Sequence, residues 1–294
     1  MAFPNPEEKG ALDLAIARAG QELIPLVLAS DPDADRFAAA ILTSDVVHKT
    51  PEYTLLTGNQ LGILFASYIL ETYQGDRSQL AILASAVSSQ MLASMATSEG
   101  FIFEETLTGF KWLGNVALNL RRNGVDAKYA FEEAIGYMFT DIVPDKDGIS
   151  AAAVFLTAAL HWAESRVSPL EKLEQLYQKY GYFESHNRYY ISPSPAKTRE
   201  VFSGIRSLKG EGREFPDYIG KRSILRWRDL GMGYDSGTPD HVPNLPVSES
   251  SDMITCWLEG GVRLSVRGSG TEPKFKSKRS CHSRWIRELD LTVA

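Results

Sequence analysis

The chain has 294 residues, 44% hydrophobic and 23% charged, a balance that supports a folded core of one or two domains and argues against disorder. Its net charge of −6 offers no whole-chain field for nucleic acid phosphates or anionic lipid, and the two cysteines, Cys256 and Cys281, show neither metal-ligand spacing nor a disulfide framework. The opening MAFPNPEEKG lacks a basic segment followed by an apolar run, and the longest apolar stretches fall short of a membrane span, so a cytoplasmic protein with no membrane and no nucleic acid partner is expected.

Residues 10–20 have helical periodicity, and the apolar run 25–30 reads as a strand delivering the acidic segment DPDADR, 31–36. A strand pair near 36–43 and 52–56 leads to Thr57-Gly-Asn-Gln60, a capping box that opens a helix over 57–74. Apolar runs at 80–87, 101–106 and 128–131 then alternate with helical patterns at 89–99 and 109–122. That alternation predicts an α/β fold, a mostly parallel mixed sheet with helices on both faces. In such a sheet the loops at the carboxyl ends of strands share a crevice, so 31–36, 108–111 and 132–136, each following an apolar run, are expected to face it together. An Ala-rich helix follows Asp145-Lys-Asp-Gly148, and a second capping box, Ser168 to Glu171, opens a helix ending at Tyr180. Past about 190, shorter strands, a helix near 195–207 and Gly- and Pro-rich connections predict a smaller α+β C-terminal domain.

Asp31, Asp33 and Asp35 alternate with Pro32 and Ala34, so an extended backbone turns three carboxylates to one side, where they can share a hard divalent cation. Mg2+, one per chain, is the natural occupant, because Arg36 alone does not neutralise the cluster. The other reading is a solvated acidic turn. An EF-hand fails, with Arg36 where Gly is needed and Leu42 where Glu is needed. The segment RGSGTEPK, Arg267 to Lys274, brings two glycines, two hydroxyls and two cations after a strand-like run, which suits a phosphate cradle and also fits a plain turn. Taken singly, Thr108 reads as an N-cap, Glu132 and Glu133 as a solvated pair, and Lys146 as a surface charge.

In this order the segments DPDADR, TGNQLG, FEETLTGFKWLGN, FEEAIGY, DKDG and RGSGTEP resemble the α-D-phosphohexomutase superfamily, in particular its phosphoglucomutase/phosphopentomutase branch, from about residue 3 to about 276. The resemblance implies a phosphosugar mutase, an intramolecular phosphotransferase acting on a phosphorylated hexose or pentose. It interconverts a sugar 1-phosphate with a 5- or 6-phosphate through a sugar bisphosphate, which is also the activator. On that resemblance Asp31, Asp33 and Asp35 are the magnesium loop, and Glu132 holds ring hydroxyls. Arg36, Thr108, Gly109 and Lys146 contact the sugar, with Lys146 a candidate catalytic residue, and Arg267, Ser269, Gly270 and Thr271 bind phosphate. Residues 1–45 then correspond to the end of a second mutase domain, 46–190 to a third that binds sugar, and 191–294 to a fourth that binds phosphate, with a divergent tail over 276–294. Ala134, where hexose-preferring members often carry Ser, favours a pentose phosphate.

The family's phosphoserine lies in a Thr-Ala-Ser-His-Asn-type loop of the first domain, and no such loop occurs in the 294 residues. Ser185-His186-Asn187 lacks the preceding Thr-Ala and falls in a strand-like run. The expectation is a C-terminal half that is inactive alone, the alternative being a non-catalytic sugar-phosphate-binding or regulatory protein. An aspartate-based phosphatase with Asp31 as nucleophile is disfavoured by Asp35-Arg36, where Thr or Val is expected.

Overall fold

The computed structural model describes residues 4–43, 51–247, 252–268 and 274–283. They divide into two compact units, 1–180 and 181–294.

In the first unit, α1 (Asp13–Glu22) packs on the antiparallel hairpin of β1 (Leu26–Ser30) and β2 (Phe37–Leu42) through Ala19, Val27 and Ala40, and β3 (Tyr53–Leu55) pairs with β2. There follow α2 (Gly58–Thr72), β4 (Leu80–Ser85), α3 (Met91–Glu99), β5 (Ile102–Thr106), α4 (Phe110–Arg122), β6 (Asp126–Glu132) and β7 (Gly136–Phe139). The sheet order is β5-β4-β6-β7, with β4 parallel to β5 and β6, and β7 antiparallel to β6. Two more helices, α5 (Gly148–Glu164) and α6 (Pro169–Tyr180), complete the unit. This is the mixed α/β architecture that the alternating pattern predicts.

Strand β4, LAILAS, is buried at every position because helices cover both faces, as a central parallel strand requires. Alternate residues serve opposite faces: Ala81 and Leu83 meet Phe110, Leu113 and Ala117 of α4. On the other face Phe65 of α2, fully buried, lies within 5.0–6.0 Å of the rings of Tyr129, Tyr137, Phe139 and Phe155. Gly62 permits the close approach, since a Cβ there would fall 2.4 Å from the Phe131 ring. Both predicted capping boxes form. Thr57 Oγ1 accepts from Gln60 N and Gln60 Oε1 from Thr57 N, while Ser168 and Glu171 exchange the same pair of bonds.

In the second unit β8 (Tyr182–Ile191), α7 (Pro195–Ser207), β9 (Tyr218–Ile219), β10 (Arg222–Asp229), β11 (Tyr234–Asp235), β12 (Met253–Leu258), β13 (Val262–Gly268) and β14 (Lys274–Ser283) build an antiparallel sheet of order β11-β10-β12-β13-β14-β8, with β9 on β10. One face packs Trp227, Ile254, Cys256 and Val266 against Phe202 of α7, and burial pushes the Cys256 thiol up to about 12, so it is an inert core group. Arg206 of α7 clamps Asp229 through two bonds of 2.6 and 2.9 Å and reaches Asp252 at 2.7 Å. On the other face the guanidinium groups of Arg226, Arg228 and Arg263 lie 4.3–5.2 Å from the ring centre of Trp257.

The division at Tyr180/Gly181 falls ahead of the composition change near 190 because β8 pairs along its whole length with β14. Residues 276–283, the start of the stretch whose resemblance is lost, are part of that β14 ladder. Among the described residues no helix is long and apolar enough to cross a membrane.

Candidate functional site

The 31–36 segment joins β1 to β2, and its own hydrogen bonds shape it. Ala34 N donates to Asp31 O at 2.9 Å, Arg36 N donates to Asp31 Oδ1 at 3.0 Å, and Ala34 holds the left-handed φ of +58°. A left-handed alanine is a small backbone cost, tolerated where surroundings fix it. The result is that Asp31, Asp33 and Asp35 each offer an oxygen within 4.8 Å of the others. Arg36 Nε stands 3.6 Å from Asp31 Oδ2, and Lys146 Nζ stands 2.8 Å from Asp35 Oδ2. Asp35 Oδ1 is buried and accepts no hydrogen bond among the described residues. An ionised oxygen in that position is costly unless a cation meets it, and three clustered carboxylate oxygens form a donor set for a hard divalent ion. The residues present therefore fit Mg2+.

Three backbone hydrogen bonds stitch these segments together. Gly148 N, at the start of α5, donates to Ala34 O at 2.9 Å, and Phe37 N donates to Ile135 O at 3.0 Å. Asp147 N donates to Tyr137 O at 3.0 Å, while the Asp147 carboxylate caps α5 by accepting from Ile149 N and Ser150 N. Gly148 has to be glycine here: a Cβ would lie 2.3 Å from Arg36 O and 2.8 Å from Ala34 O.

Glu132 ends β6 and accepts a hydrogen bond from Gly109 N at 2.5 Å. Gly109 takes φ 110° and ψ 132°, which suits glycine alone, and it rather than Thr108 is the N-cap residue of α4. A carboxylate on the first N–H of a helix is further favoured by the helix dipole. Thr108 adjoins that contact, and the Lys146 stem passes beside Gly136, where an added Cβ would sit 3.5 Å from Lys146 Cδ. The loops at 31–36, 108–111 and 132–136 are thus joined by direct contacts, as expected, although β1, which delivers 31–36, belongs to the separate antiparallel sheet; 146–148, for which no such position was expected, joins them.

Glu133, next in the turn, faces inward, and sequence reasoning missed its role. Glu133 N donates to Ser88 Oγ at 3.1 Å, Ser88 Oγ and Ser85 Oγ are 2.8 Å apart, and Ser85 Oγ donates to Glu133 Oε2 at 3.2 Å. The ring closes if Ser88 donates to Ser85, and it anchors the turn that presents Glu132. Its only sequence signal is a pair of serines, Ser85 at the end of the otherwise apolar strand β4 and Ser88 in the turn that follows. Gly58 lies under the same turn, where a Cβ would meet Glu133 O at 2.0 Å.

Arg267 belongs to the second unit, on β13, with Met253 and Lys276 as its cross-strand neighbours. Ser269, Gly270 and Thr271 lie outside the described residues. Ser185, His186 and Asn187 are consecutive ladder residues of β8, and Cys256 is a core thiol.

Residues 57–180 match the family model for phosphoglucomutase/phosphomannomutase, alpha/beta/alpha domain III. The chain is 46% identical over 292 residues to phosphoribomutase of Saccharomyces cerevisiae, covering 94% of this chain and 46% of that one. It is 41% identical to phosphopentomutase and 39% identical to glucose 1,6-bisphosphate synthase of Homo sapiens, each over 93% of this chain, with 45% and 44% of those proteins covered. The chain therefore spans about half the length of the curated relatives it matches. Among solved structures, parafusin from Paramecium in its open form superposes with a TM-score of 0.65 at 20% identity, over 98% of this chain and 47% of that one. An N-acetylglucosamine-phosphate mutase gives 0.51 at 19% identity, over 88% and 46%, and these two likenesses concern the fold alone.

Proposed function

Because the chain belongs to the α-D-phosphohexomutase superfamily, we propose that it supplies the metal, sugar and distal-phosphate elements of a phosphosugar mutase acting on a pentose or hexose phosphate. Asp31, Asp33 and Asp35 would hold Mg2+, which when bound offsets negative charge on a phosphoryl group. Glu132, already an acceptor for Gly109 N, has a second oxygen and further lone pairs for sugar hydroxyls, and Thr108 lies alongside. Lys146 supplies a cation between the aspartate loop and Gly136, suited to a substrate oxygen or phosphate. Arg267 and the loop of Ser269, Gly270 and Thr271 would take the far phosphate. In this reading 1–45, 46–190 and 191–294 act as the metal, sugar and phosphate segments, in a cytoplasmic protein.

The observation that carries the proposal is the joining of the three-aspartate loop, the Gly109–Glu132 contact and Lys146 through direct bonds within one unit. A pentose phosphate is the preferred substrate in this reading, supported by Ala134 and by relatives named phosphoribomutase and phosphopentomutase. One observation favours a second reading, binding without turnover: the chain's one Ser-His-Asn sequence, at 185–187, is spent in the β8 ladder. Calorimetry with ribose 5-phosphate and Mg2+ tests the shared part. Saturable binding abolished by Glu132→Ala supports it, and a flat wild-type titration overturns it. Assaying ribose 1-phosphate turnover with Mg2+ and the matching bisphosphate then separates the readings, since only the second predicts binding with no product.

A further inference from the structure

Strand β8 ends the second unit's sheet. Its ten residues pair with β14 on one side in an unbroken register from Tyr182↔Ser283 to Ile191↔Lys274, and among the described residues no strand lies on its other side. Such an edge spans about 33 Å of backbone donors and acceptors. Proteins ordinarily blunt a long edge with proline, a bulge, charged side chains or a covering element, and the charges on β8 are of both signs, so that they deter most strands but complement a second copy of β8. Over Tyr182–Ile191 there is no proline, and the β8–β14 ladder carries no bulge. Large side chains stand exposed toward both ends, with Tyr182 41%, Tyr190 57% and Ile191 77% accessible. The charges lie between them, Glu184 and Arg188, two positions either side of His186 and on the same strand face.

We propose that β8 is a homotypic interface, pairing antiparallel with β8 of a second copy of this chain about a two-fold axis at His186. In that register each Glu184 lies opposite the other copy's Arg188, each Ser185 opposite an Asn187, and each Tyr182 opposite a Tyr190. Every one of these is a favourable cross-strand pair. The choice of register follows from charge. An axis at Glu184 or at Arg188 sets like charges directly opposite, and axes at Ser185 or Asn187 leave Glu184 and Arg188 without each other. An isologous contact of this kind closes at two copies, because it uses the one open edge at β8 on each. The interface explains the Ser-His-Asn sequence without assigning it chemistry, and it uses none of the residues of the proposed sugar-phosphate site.

Charge exchange tests it in the intact chain. Sedimentation equilibrium up to about 100 μM should give wild type twice the 32.6 kDa protomer mass, and Glu184→Arg and Arg188→Glu alone should each weaken association about tenfold or more. An equimolar mixture of the two single variants should recover the dimer, because position 184 of each copy then faces a position 188 of opposite charge on the other. The double variant E184R/R188E should recover it too. Circular dichroism matching wild type establishes that loss of association is not loss of fold. A wild type that stays at the protomer mass overturns the proposal. So do single variants that associate as wild type does, or a mixture that remains at the protomer mass.

Discussion

Lys146 Nζ lies 2.8 Å from Asp35 Oδ2, so an ammonium already offsets part of the charge that the aspartate loop presents to a cation. Lys146→Met is expected to tighten Mg2+ binding about three- to tenfold, whereas Lys146→Arg, which keeps the charge, should stay within about twofold of wild type. Titration calorimetry of Mg2+ alone checks this, and equal affinities in wild type and K146M would show that the ion pair does not act on the loop. The aspartates were legible in the sequence as three carboxylates within five residues, but the extended backbone expected of that segment is replaced by a turn, closed by Ala34 N on Asp31 O with Ala34 left-handed, and it is this turn that gathers them. Gly148 and Glu133 were not legible. Gly148 reads as the end of a turn, yet it is required by the carbonyls of Ala34 and Arg36, more than a hundred residues earlier. Glu133 reads as half of a solvated pair, yet it turns inward to Ser85 at the end of β4 and Ser88 in the turn beyond it.

The helices of the first unit were legible because capping boxes at Thr57 and Ser168 lie within four residues and declare where α2 and α6 begin. Strand β7 was not, being four residues that follow a turn with no alternation of their own, and buried only because β6 and α5 cover them. What locks the helices together is also nonlocal. Glu99 at the end of α3 accepts from Tyr180 Oη at 2.6 Å, Lys179 Nζ at 2.5 Å and Arg77 Nη1 at 2.5 Å, fastening α6 and the 77–79 turn to α3. The Lys179 and Tyr180 hydrogen bonds hold the Glu99 carboxyl below its ordinary value of 4.5. A carboxyl whose folded pKa is depressed stabilises the fold above its unfolded value, and that contribution is lost as pH falls through the folded one. Glu99→Gln should therefore lower the urea midpoint relative to wild type at pH 7, and the gap should narrow progressively as the pH is taken below the ordinary carboxyl value of 4.5. A gap that does not narrow at any pH at which the chain remains folded would mean that packing of α6, rather than the charge of Glu99, holds the contact.

At the scale of the molecule the charge is divided between the units. Residues 1–180 carry 13 Lys and Arg against 23 Asp and Glu, and residues 181–294 carry 18 against 14, so a modest net of −6 conceals an acidic unit and a basic one. The acidic unit holds the three-aspartate loop and the basic unit holds Arg267, a division that concentrates cations around the first and phosphates around the second. Mass action turns this into a measurable stability. A ligand that binds only the folded chain stabilises it by about 2.7 kcal/mol at a concentration 100 times its Kd. Mg2+ should accordingly raise the melting temperature, by a few degrees for a unit of this size, and chelation should reverse the rise. Asp33→Asn, which removes a charge from the most exposed member of the cluster, should flatten the response while leaving the metal-free melting temperature within about 1 °C of wild type or slightly higher, because like-charge repulsion is relieved. Added KCl should weaken the Mg2+ response as the acidic field is screened over about 8–10 Å, whereas a site held by geometry alone would keep its affinity across the same salt range. A thermal shift that survives Asp33→Asn unchanged would place the stabilising cation elsewhere on the acidic unit, and with it the metal segment of the proposed mutase.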